Sequence, residues 1–417
     1  MWGHIKSGKV VCEIDLLQSI PFIEKCSREK RTFILERRKD FLPLSRPSIG
    51  EKEIQEVVAC LKSSWITTGP LCKAFEEKFC ELTGAFHALS VSSGTAGMHL
   101  LLLGLDVKQG DEIITPSMTF ASTLNMITLS GANPIFTDIH YDTLNINTDL
   151  IEGKITNRTK GIIPVHFAGA PADMDKILNL SQRYNIPVIE DAAHAVGTYY
   201  KGIHAGGFGQ CAIFSFHPLK NITTGEGGMI THSDDYLESR LRLLRFHGIE
   251  RDAWKRYSKG GNPEYDIKTP GFKYNLTDIQ AALGLAQLSR LKELNNRRKQ
   301  LADLYRGGLE GVEGVELPGV PNYPHTHAWH LFIIKVISMD RKRFMERLSE
   351  YQIGYGIHFP AGHRLSYIQN KYKIKKGELK ETEQADTKIV SLPLFPDMKE
   401  EDVSYVCEAV REILGNG

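Results

Sequence analysis

The sequence predicts an α/β fold in which helices cover both faces of a mainly parallel sheet, followed by a smaller α+β domain. Short apolar runs alternate with helical patterns through most of the chain, a long helical pattern comes next, and two further strands and two further helices end it. Strands that alternate with helices need crossover connections, which favour parallel pairing. A chain of 417 residues is long enough for two such domains.

The predicted elements begin shortly after Pro43. Ser48 and Glu51 have the spacing of a capping box, and apolar residues at 54, 57, 58 and 61 then predict an amphipathic helix. Short apolar runs predict seven strands: Ala88–Val91, Glu112–Thr115, Pro134–Asp138, Gly161–His166, Ile186–Glu190, Ala212–Phe216 and Met229–Thr231. Helical patterns lie between several of them, as at Ala96–Gly104 and Ala172–Tyr184.

A long helical pattern from about Thr277 to Leu309 connects this part to the C-terminal part. The elements predicted after it are a strand at Leu331–Val336, a helix at Arg341–Tyr351, a strand at Tyr355–Phe359 and a helix from Glu400. We therefore expect an N-terminal extension over residues 1–41, a large domain over residues 42–295 and a small domain over residues 296–417.

The composition argues against several classes of protein. Lys and Arg number 51 against 50 Asp and Glu, so the basic excess of a protein that binds nucleic acid or an anionic membrane is missing. The seven cysteines form no Cys-x-x-Cys pair and the histidines form no His-Glu-x-x-His motif, which predicts neither a disulfide framework nor a metal site. No apolar run approaches the roughly 20 residues of a membrane span. Glu13 and Asp15 interrupt the one candidate for a signal peptide, so we expect a cytoplasmic protein.

Residues that could do chemistry follow the predicted strands, and the carboxyl ends of such strands are where ligands bind. Ser93, Gly94 and Thr95 open a helix, whose free N–H groups and dipole can hold an anion, although the same residues also suit an ordinary helix cap. Asp191 ends a strand and could hold a cationic nitrogen, or it could cap a helix. His194 by itself is typical of a structural histidine.

Lys220 lies on a loop between apolar strands, five residues after Ser215. Burial lowers the pKa of a lysine amine and makes the amine nucleophilic. Phe120 follows another strand end, where its ring could stack on a ligand or fill the core. An anion cup, an acid and an amine are together the parts that hold pyridoxal phosphate (PLP).

These segments resemble the DegT-type sugar-nucleotide aminotransferases, which are PLP enzymes of fold type I. The likeness extends from about Phe41 to the C-terminus. It is carried by Trp65–Pro70, Ser122–Met126, Pro164–Asp173, Glu190–Gly202, His327–Phe332 and Ser391–Met398. The resemblance implies a large domain of the aspartate-aminotransferase type, with a mainly parallel seven-stranded sheet, and a smaller C-terminal domain. Within the family the chain is most similar to the subfamily that acts on a UDP-linked 4-keto-pentose.

The resemblance also implies roles for single residues. Lys220 matches the lysine that bonds the cofactor aldehyde, Asp191 matches the acid that keeps the ring nitrogen protonated, and His194 would lie near the phenolic oxygen. The phosphate would be held by Ser93, Gly94, Thr95 and Ser215. Phe120 takes the place that stacks on the ring. Asn275 stands where many relatives have arginine, in a segment that the family expects to reach the cofactor of the neighbouring subunit in a homodimer.

The reaction that the resemblance implies is a transamination. L-Glutamate would give its amino group to a 4-keto sugar nucleotide, which yields a 4-amino-4-deoxy sugar nucleotide and 2-oxoglutarate. We expect the substrate to be recognised in loops such as Trp65–Pro70, Trp329–His330 and His358–His363. The site residues predicted there are Thr67, Trp329, His358 and His363, although the last two could be plain surface histidines.

Three alternatives remain. Dehydratases related to this family replace the cofactor-binding lysine with histidine, whereas Lys220 is present here. A PLP-holding regulator without turnover would be favoured by a damaged site, and the lysine, acid and phosphate loop are intact. The same chemistry on another keto-hexose nucleotide or on a keto-cyclitol stays open.

Overall fold

A computed structural model of the chain describes residues 35–250 and 264–415, so the predicted extension over residues 1–41 lies almost entirely outside the described residues. The strands are β1 His87–Val91, β2 Glu112–Pro116, β3 Asn133–Thr137, β4 Thr159–Ile162, β5 Ile189–Asp191, β6 Tyr199–Tyr200, β7 Ile203–His204, β8 Cys211–Ser215, β9 Gly228–His232, β10 Val315–Glu316, β11 His325–Thr326, β12 Phe332–Val336 and β13 Ile389–Leu392. The α-helices are α1 Glu51–Lys62, α2 Pro70–Thr83, α3 Gly94–Gly104, α4 Ala121–Leu129, α5 Met174–Tyr184, α6 Asp235–Arg245, α7 Asp278–Ser289, α8 Leu291–Leu309, α9 Arg341–Glu350, α10 Ser366–Tyr372, α11 Lys380–Asp386 and α12 Glu400–Gly415.

The strands predicted before residue 232 all form, and they are arranged in two sheets. One has the order β1-β9-β8-β5 and the other the order β3-β2-β4. Pairing is parallel between β5 and β8 and throughout the second sheet, whereas β9 runs antiparallel to both of its neighbours. Two isolated parallel bridges, Ile162 to Val188 and Val165 to Asp191, connect β4 and its continuation with β5.

A single mainly parallel sheet of seven strands is therefore not confirmed in that form. The strand predicted at Gly161–His166 ends at Ile162, and the strand predicted at Ile186–Glu190 begins only at Ile189. Pro164 and Pro187 lie in these two gaps, and proline has no N–H to give to a ladder. Each of them only accepts, Pro164 from Asp191 N and Pro187 from Ile162 N.

The core lies on both faces of the four-stranded sheet, which confirms the predicted α/β arrangement. Leu89 and Ile213 point to the face covered by α3 and α6, whereas Ala88 and Phe214 point to the face covered by α2 and α7. Neighbouring residues of one strand thus enter different cores, as the two-residue period of a strand requires. Because both faces of the sheet are covered by apolar residues, polar side chains can cluster only at the strand ends.

The long helical pattern is interrupted at Arg290, so that α7 and α8 are separate helices. Arg290 has backbone angles of −102° and 0°, and its guanidinium bonds Glu53 of α1 at 2.9 Å and Glu293 of α8 at 3.0 Å. The side chain therefore connects three helices at the interruption.

The first helix begins differently from the prediction. The capping box at Ser48 and Glu51 is wrong, because Gly50 is the N-cap and Glu53 Oε2 accepts the Gly50 N–H at 2.9 Å. Glu53 is buried, and Gln287 donates to its other carboxylate oxygen at 2.7 Å. The side of α1 that faces the molecule thus carries a charged residue, Glu53, together with Cys60.

The apolar stripe of α1 lies on the surface of the chain. Ile54 is 51% exposed, Val58 39% and Leu61 51%. An amphipathic helix normally buries such a stripe. This face consequently has no partner within the described residues.

The C-terminal part forms a further, antiparallel sheet of order β10-β12-β13. Helix α9 packs against β13, Tyr305 of α8 stacks on Phe332 of β12, and α12 packs on α8 and α9. The strand predicted at Tyr355–Phe359 is reduced to one bridge between Gly356 and Ser391. The segment before α1 joins this part, since Leu42 bridges Ile353 and the Leu44 carbonyl accepts from Leu394 N at 3.1 Å. The boundary near residue 296 stays a proposal. Within the described ranges no helix has the length and apolar character needed to cross a membrane.

Candidate active site

A cavity of about 350 Å³ lies at the strand ends. We call the part built from strand-end residues the first wall; it contains Ser93, Gly94, Thr95, Phe120, Thr123, Asp191, His194, Ser215 and Lys220. We call the part built from the N-terminal segment and the C-terminal sheet the second wall; it contains Leu44, Ser45, His330, Leu331, His358, Phe359, Leu392 and Leu394. A volume of this size suits a small-molecule site.

The turn between β1 and α3 provides the anion cup. Ser93 is the N-cap of α3, with its Oγ accepting the Ala96 N–H at 3.0 Å, so the helix-cap interpretation is correct for this side chain. A Cβ on Gly94 would lie 3.1 Å from Ser215 Cβ, and a Cβ on Gly228 would lie 2.6 Å from the Gly94 nitrogen. Glycine at these two places keeps side-chain atoms away from the first helical N–H groups, which are those that bind an anion.

Asp191 lies at the end of β5 and is almost fully buried. Thr123 donates from Oγ to Asp191 Oδ2 at 2.8 Å, and the Ala193 N–H donates to Oδ1 at 3.3 Å. Thr119 donates in turn to Thr123 Oγ at 3.2 Å, which fixes the direction of the threonine hydroxyl. Burial raises the pKa of the Asp191 carboxyl, while the hydrogen bond from Thr123 lowers it. The carboxyl does not cap a helix and is available to a cationic group in the cavity.

Lys220 follows β8 and lies in the same cavity. Burial lowers the pKa of its amine from 10.5 to about 8, although the negative charge of Asp191 acts in the opposite direction. A lysine with this pKa has a substantial fraction of neutral amine near neutral pH. The amine can therefore act as a nucleophile or as a base.

The ring of His194 in the first wall contacts the ring of His330 in the second wall, and the two ring centroids lie 4.2 Å apart. Burial and then the charge of Lys220 hold the pKa of His194 well below its usual value, so the ring is neutral. Phe359 of the second wall lies 5.5 Å from His194 and 5.4 Å from Phe120. Phe120 itself is 57% exposed, which excludes the role of a plain core residue.

Of the residues predicted to recognise the substrate, the structure brings His358 to the cavity. Its Nδ1 lies 2.8 Å from Ser391 Oγ, and burial lowers the pKa of the ring to about 4. His363 lies outside the cavity, where its N–H donates to Ser117 Oγ and the Ser117 hydroxyl bonds its Nδ1 at 2.7 Å. It is buried, so it is not a surface histidine either.

Three more predicted residues lie outside the cavity lining. Trp329 is buried and stacks on His327 with ring centroids 3.9 Å apart, and the residue after it, His330, takes the place in the cavity. Thr67 is exposed, and its carbonyl accepts from Asp278 N at 3.1 Å. Asn275 donates from Nδ2 to Thr68 Oγ at 2.6 Å. Single-chain geometry thus assigns Asn275 to the loop before α2, not to this cavity.

Sequence reasoning missed several residues that line the cavity: Leu44, Ser45, Thr123, His217, Glu226, Leu392 and Leu394. Thr123, Leu392 and Leu394 belong to segments that carry the family resemblance, so a signal for them existed. Leu44 and Ser45 come from the segment before α1, and no local pattern distinguishes them.

The residues present fit PLP. Its phosphate suits the N-terminus of α3 beside Ser215, and its ring nitrogen suits the buried carboxyl of Asp191. Its aldehyde suits the Lys220 amine, and the enclosed ring of His194 lies within the same cavity. The lining residues thus include a partner for each polar group of the cofactor.

The comparisons with known proteins agree with this geometry. The profile of the DegT/DnrJ/EryC1/StrS aminotransferase family matches residues 47–411. Spr1654 of Streptococcus pneumoniae, described as a sugar aminotransferase and solved in PMP and PLP forms, is 32% identical. Its PMP form superposes with a TM-score of 0.84 over 90% of this chain and 99% of that one.

Two further structures are similar along almost their whole length. The aminotransferase TlmJ of Streptoalloteichus hindustanus is 30% identical, with a TM-score of 0.83 over 90% of this chain and 99% of its own. PseC of Helicobacter pylori, an aminotransferase involved in the biosynthesis of pseudoaminic acid, is 28% identical, with a TM-score of 0.83 over 91% of this chain and 100% of its own.

Proposed function

The chain belongs to the DegT/DnrJ/EryC1/StrS aminotransferase family and is a PLP-dependent aminotransferase, and we propose that it transfers the amino group of L-glutamate to a 4-keto sugar nucleotide. The main support for this proposal is that one cavity is lined by Lys220, Asp191 and the N-terminus of α3. The product would be a 4-amino-4-deoxy sugar nucleotide, with 2-oxoglutarate as the second product.

PLP supplies, when bound, an aldehyde that amines can bond and a ring that withdraws electrons from the carbon next to the amine. Asp191 holds a proton on the ring nitrogen through a charge-assisted hydrogen bond. The Lys220 amine would take the proton from the α-carbon of the donor and deliver it to the aldehyde carbon of the cofactor, which is general base and then general acid catalysis. Ser93, Thr95 and Ser215 bind the phosphate, and Phe120 covers the ring.

We propose a UDP-linked 4-keto-pentose as the acceptor, which would make the chain a UDP-4-amino-4-deoxy-L-arabinose–oxoglutarate aminotransferase. The support is the sequence resemblance of segments such as Glu190–Gly202, together with His358 at the cavity. A keto-hexose nucleotide or a keto-cyclitol remains the second candidate for the acceptor.

We further propose that the enzyme works as a homodimer. The exposed apolar stripe of α1, formed by Ile54, Val58 and Leu61, supports this, because a second copy would remove it from water. Asn275 would then approach the cofactor of the neighbouring subunit. Sedimentation at micromolar concentration should give twice the chain mass, and Val58→Glu should shift the protein toward monomer; a monomeric wild type would refute the proposal.

The test of the proposed function is the absorption spectrum of the purified PLP form before and after L-glutamate. The near-visible band of the lysine-bound cofactor should be replaced by the band of pyridoxamine phosphate. Candidate keto sugar nucleotides are then screened for the return of the first band. A spectrum that ignores L-glutamate would overturn the choice of donor, and failure of every 4-keto sugar nucleotide would overturn the choice of acceptor.

A further inference from the structure

The cavity has to bind a donor that carries carboxylates, yet among the described residues that line it there is no arginine. Arginine is the usual partner of a substrate carboxylate, because its planar guanidinium forms two parallel hydrogen bonds. Lys220 is occupied with the chemistry of the proposed function. Among the lining residues that this chain itself provides, a different group is therefore needed to hold the carboxylate next to the reacting amine.

His330 of the second wall offers such a group. The side chain is almost fully buried, and its Nδ1 is enclosed without a hydrogen-bond partner among the described residues. An enclosed N–H without an acceptor is less tolerable than an enclosed lone pair, so the neutral ring carries its proton on Nε2. Burial and the neighbouring His194 hold the pKa of His330 well below its usual value, and the ring stays neutral. His330 thus has one N–H to donate to the cavity.

A buried cation lies directly behind His330. Arg298 of α8 is 1% exposed, and its Nη1 donates to the His330 carbonyl at 3.2 Å and to the Leu394 carbonyl at 2.9 Å. No carboxylate of the described residues lies within ion-pair distance of its guanidinium. Burial lowers the pKa of Arg298 to about 10, so the group remains charged at neutral pH. An unpaired cation behind the wall favours an anion in front of it.

We propose that His330, positioned by Arg298, binds the carboxylate that neighbours the reacting amine of the amino donor. The inference rests on the proposed function and names a specificity-determining residue for it. Ser45, whose hydroxyl is enclosed without a partner, lies on the same wall and adds a second donor.

The covalent structure of the substrates favours the donor carboxylate over the diphosphate of a sugar nucleotide. In an amino acid the carboxylate is bonded to the carbon that reacts, so it must lie close to Lys220. In a sugar nucleotide several bonds separate carbon 4 from the first phosphate. His330 contacts His194 of the first wall and therefore lies at the reacting end of the cavity.

The experiment measures binding of glutarate, which has the two carboxylates of glutamate but no amine, to the PLP-loaded enzyme by calorimetry. Wild type is compared with His330→Ala, with His330→Gln, which keeps an N–H donor, and with His325→Ala on the same connecting segment but outside the cavity. UDP binding to each variant is measured in parallel. Thermal unfolding of each variant checks that it is folded.

We expect His330→Ala to weaken glutarate binding by at least about tenfold, which is the effect of losing one hydrogen bond to a charged group. His330→Gln should restore most of that loss, and His325→Ala should have no effect. UDP binding should be unchanged in all three variants.

Three results would overturn the inference and leave the proposed function intact. The first is an unchanged glutarate affinity in His330→Ala, and the second is a loss of UDP affinity in that variant, which would assign the wall to the diphosphate. A wild type that reacts with L-glutamate but does not bind glutarate would also overturn it. A wild type that neither reacts with L-glutamate nor binds glutarate would instead reject the glutamate donor of the proposed function, and the inference with it.

Discussion

The two walls of the cavity are built in opposite ways. The polar residues of the first wall follow strands directly, as Asp191 ends β5 and Ser215 ends β8. The second wall combines segments that are distant in the sequence, such as Leu44 and Leu394, which are joined by backbone hydrogen bonds. The first wall is thus a property of local motifs on a sheet, whereas the second is a property of tertiary packing.

The walls also differ in charge. Lys220 and Asp191 of the first wall are ionisable groups whose pKa values are shifted toward each other, downward for the amine and upward for the carboxyl. The second wall offers His330 and His358, whose pKa values are far below neutral pH and which therefore stay uncharged. We infer that the first wall moves protons and the second wall recognises substrate. Each prediction below separates these two tasks.

The largest effect is expected for Lys220→Ala. Removing the amine removes both the cofactor bond and the general base, so we expect turnover to fall by about 10³-fold or more. Glutarate binding by the second wall should change little. The measurements are the steady-state rate and the calorimetric affinity for glutarate.

Lys201→Ala is the matched control, since Lys201 is an exposed lysine outside the cavity that pairs with Asp175. Its rate should equal that of wild type. A Lys220→Ala enzyme that keeps a tenth of wild-type turnover would remove Lys220 from the chemistry and erase the distinction between the walls.

Most residues of the first wall could be predicted, either from the sequence around them or from the family resemblance, and Thr123 is the one that was missed. A serine and a glycine between a strand and a helix indicate an anion site, and a lysine between apolar strands is unusual enough to notice. The strand boundaries were less accurate, as Pro164 and Pro187 show. A proline has no backbone N–H to donate, so it interrupts the hydrogen bonds of a sheet. It does not change the apolar pattern from which the strands were predicted, so the pattern gives no warning of the interruption.

An intermediate effect is expected from Asp191 and Thr123, the pair proposed to hold the ring nitrogen. Asp191→Asn removes the charge that keeps this nitrogen protonated and should lower the rate about 10²-fold, the scale of a preorganised electrostatic contact. Thr123→Val removes one hydrogen bond to that charge, about 1.5 kcal/mol, and should lower the rate roughly tenfold.

Thr128→Val is the control for the threonine change, because Thr128 lies on the same helix and bonds Tyr372 rather than the cavity. The readout specific to positioning is the spectrum of bound PLP, whose pH dependence should move in Thr123→Val and remain fixed in Thr128→Val. An unchanged spectrum together with lower thermal stability would mean that Thr123 is structural only.

Apart from His358, the residues of the second wall escaped prediction as single site residues, because the sequence gives no sign of where a distant segment lies in the fold. The loop Trp329–His330 was predicted to recognise the substrate, with Trp329 as its site residue, and only the structure shows that the side chain lining the cavity is that of His330. The stripe of α1 shows the same limit. Its spacing correctly predicted a helix, but the apolar side stays on the surface and the buried side carries Glu53, held by Arg290 and Gln287.

The smallest effect is a difference in titration between the walls. Because burial lowers the pKa of Lys220 to about 8, acetylation of this residue in the apoprotein, followed by mass spectrometry, should be half-maximal near pH 8. An ordinary lysine reaches that point near pH 10.4. Glutarate binding should in contrast not strengthen between about pH 7 and pH 6, where an ordinary histidine would gain a proton. Burial holds the pKa of His330 well below its usual value and lowers that of His358 to about 4, so both rings stay neutral over this range. A midpoint near pH 10 for Lys220, or stronger binding at pH 6, would show that burial does not divide the cavity into a titrating and a neutral wall.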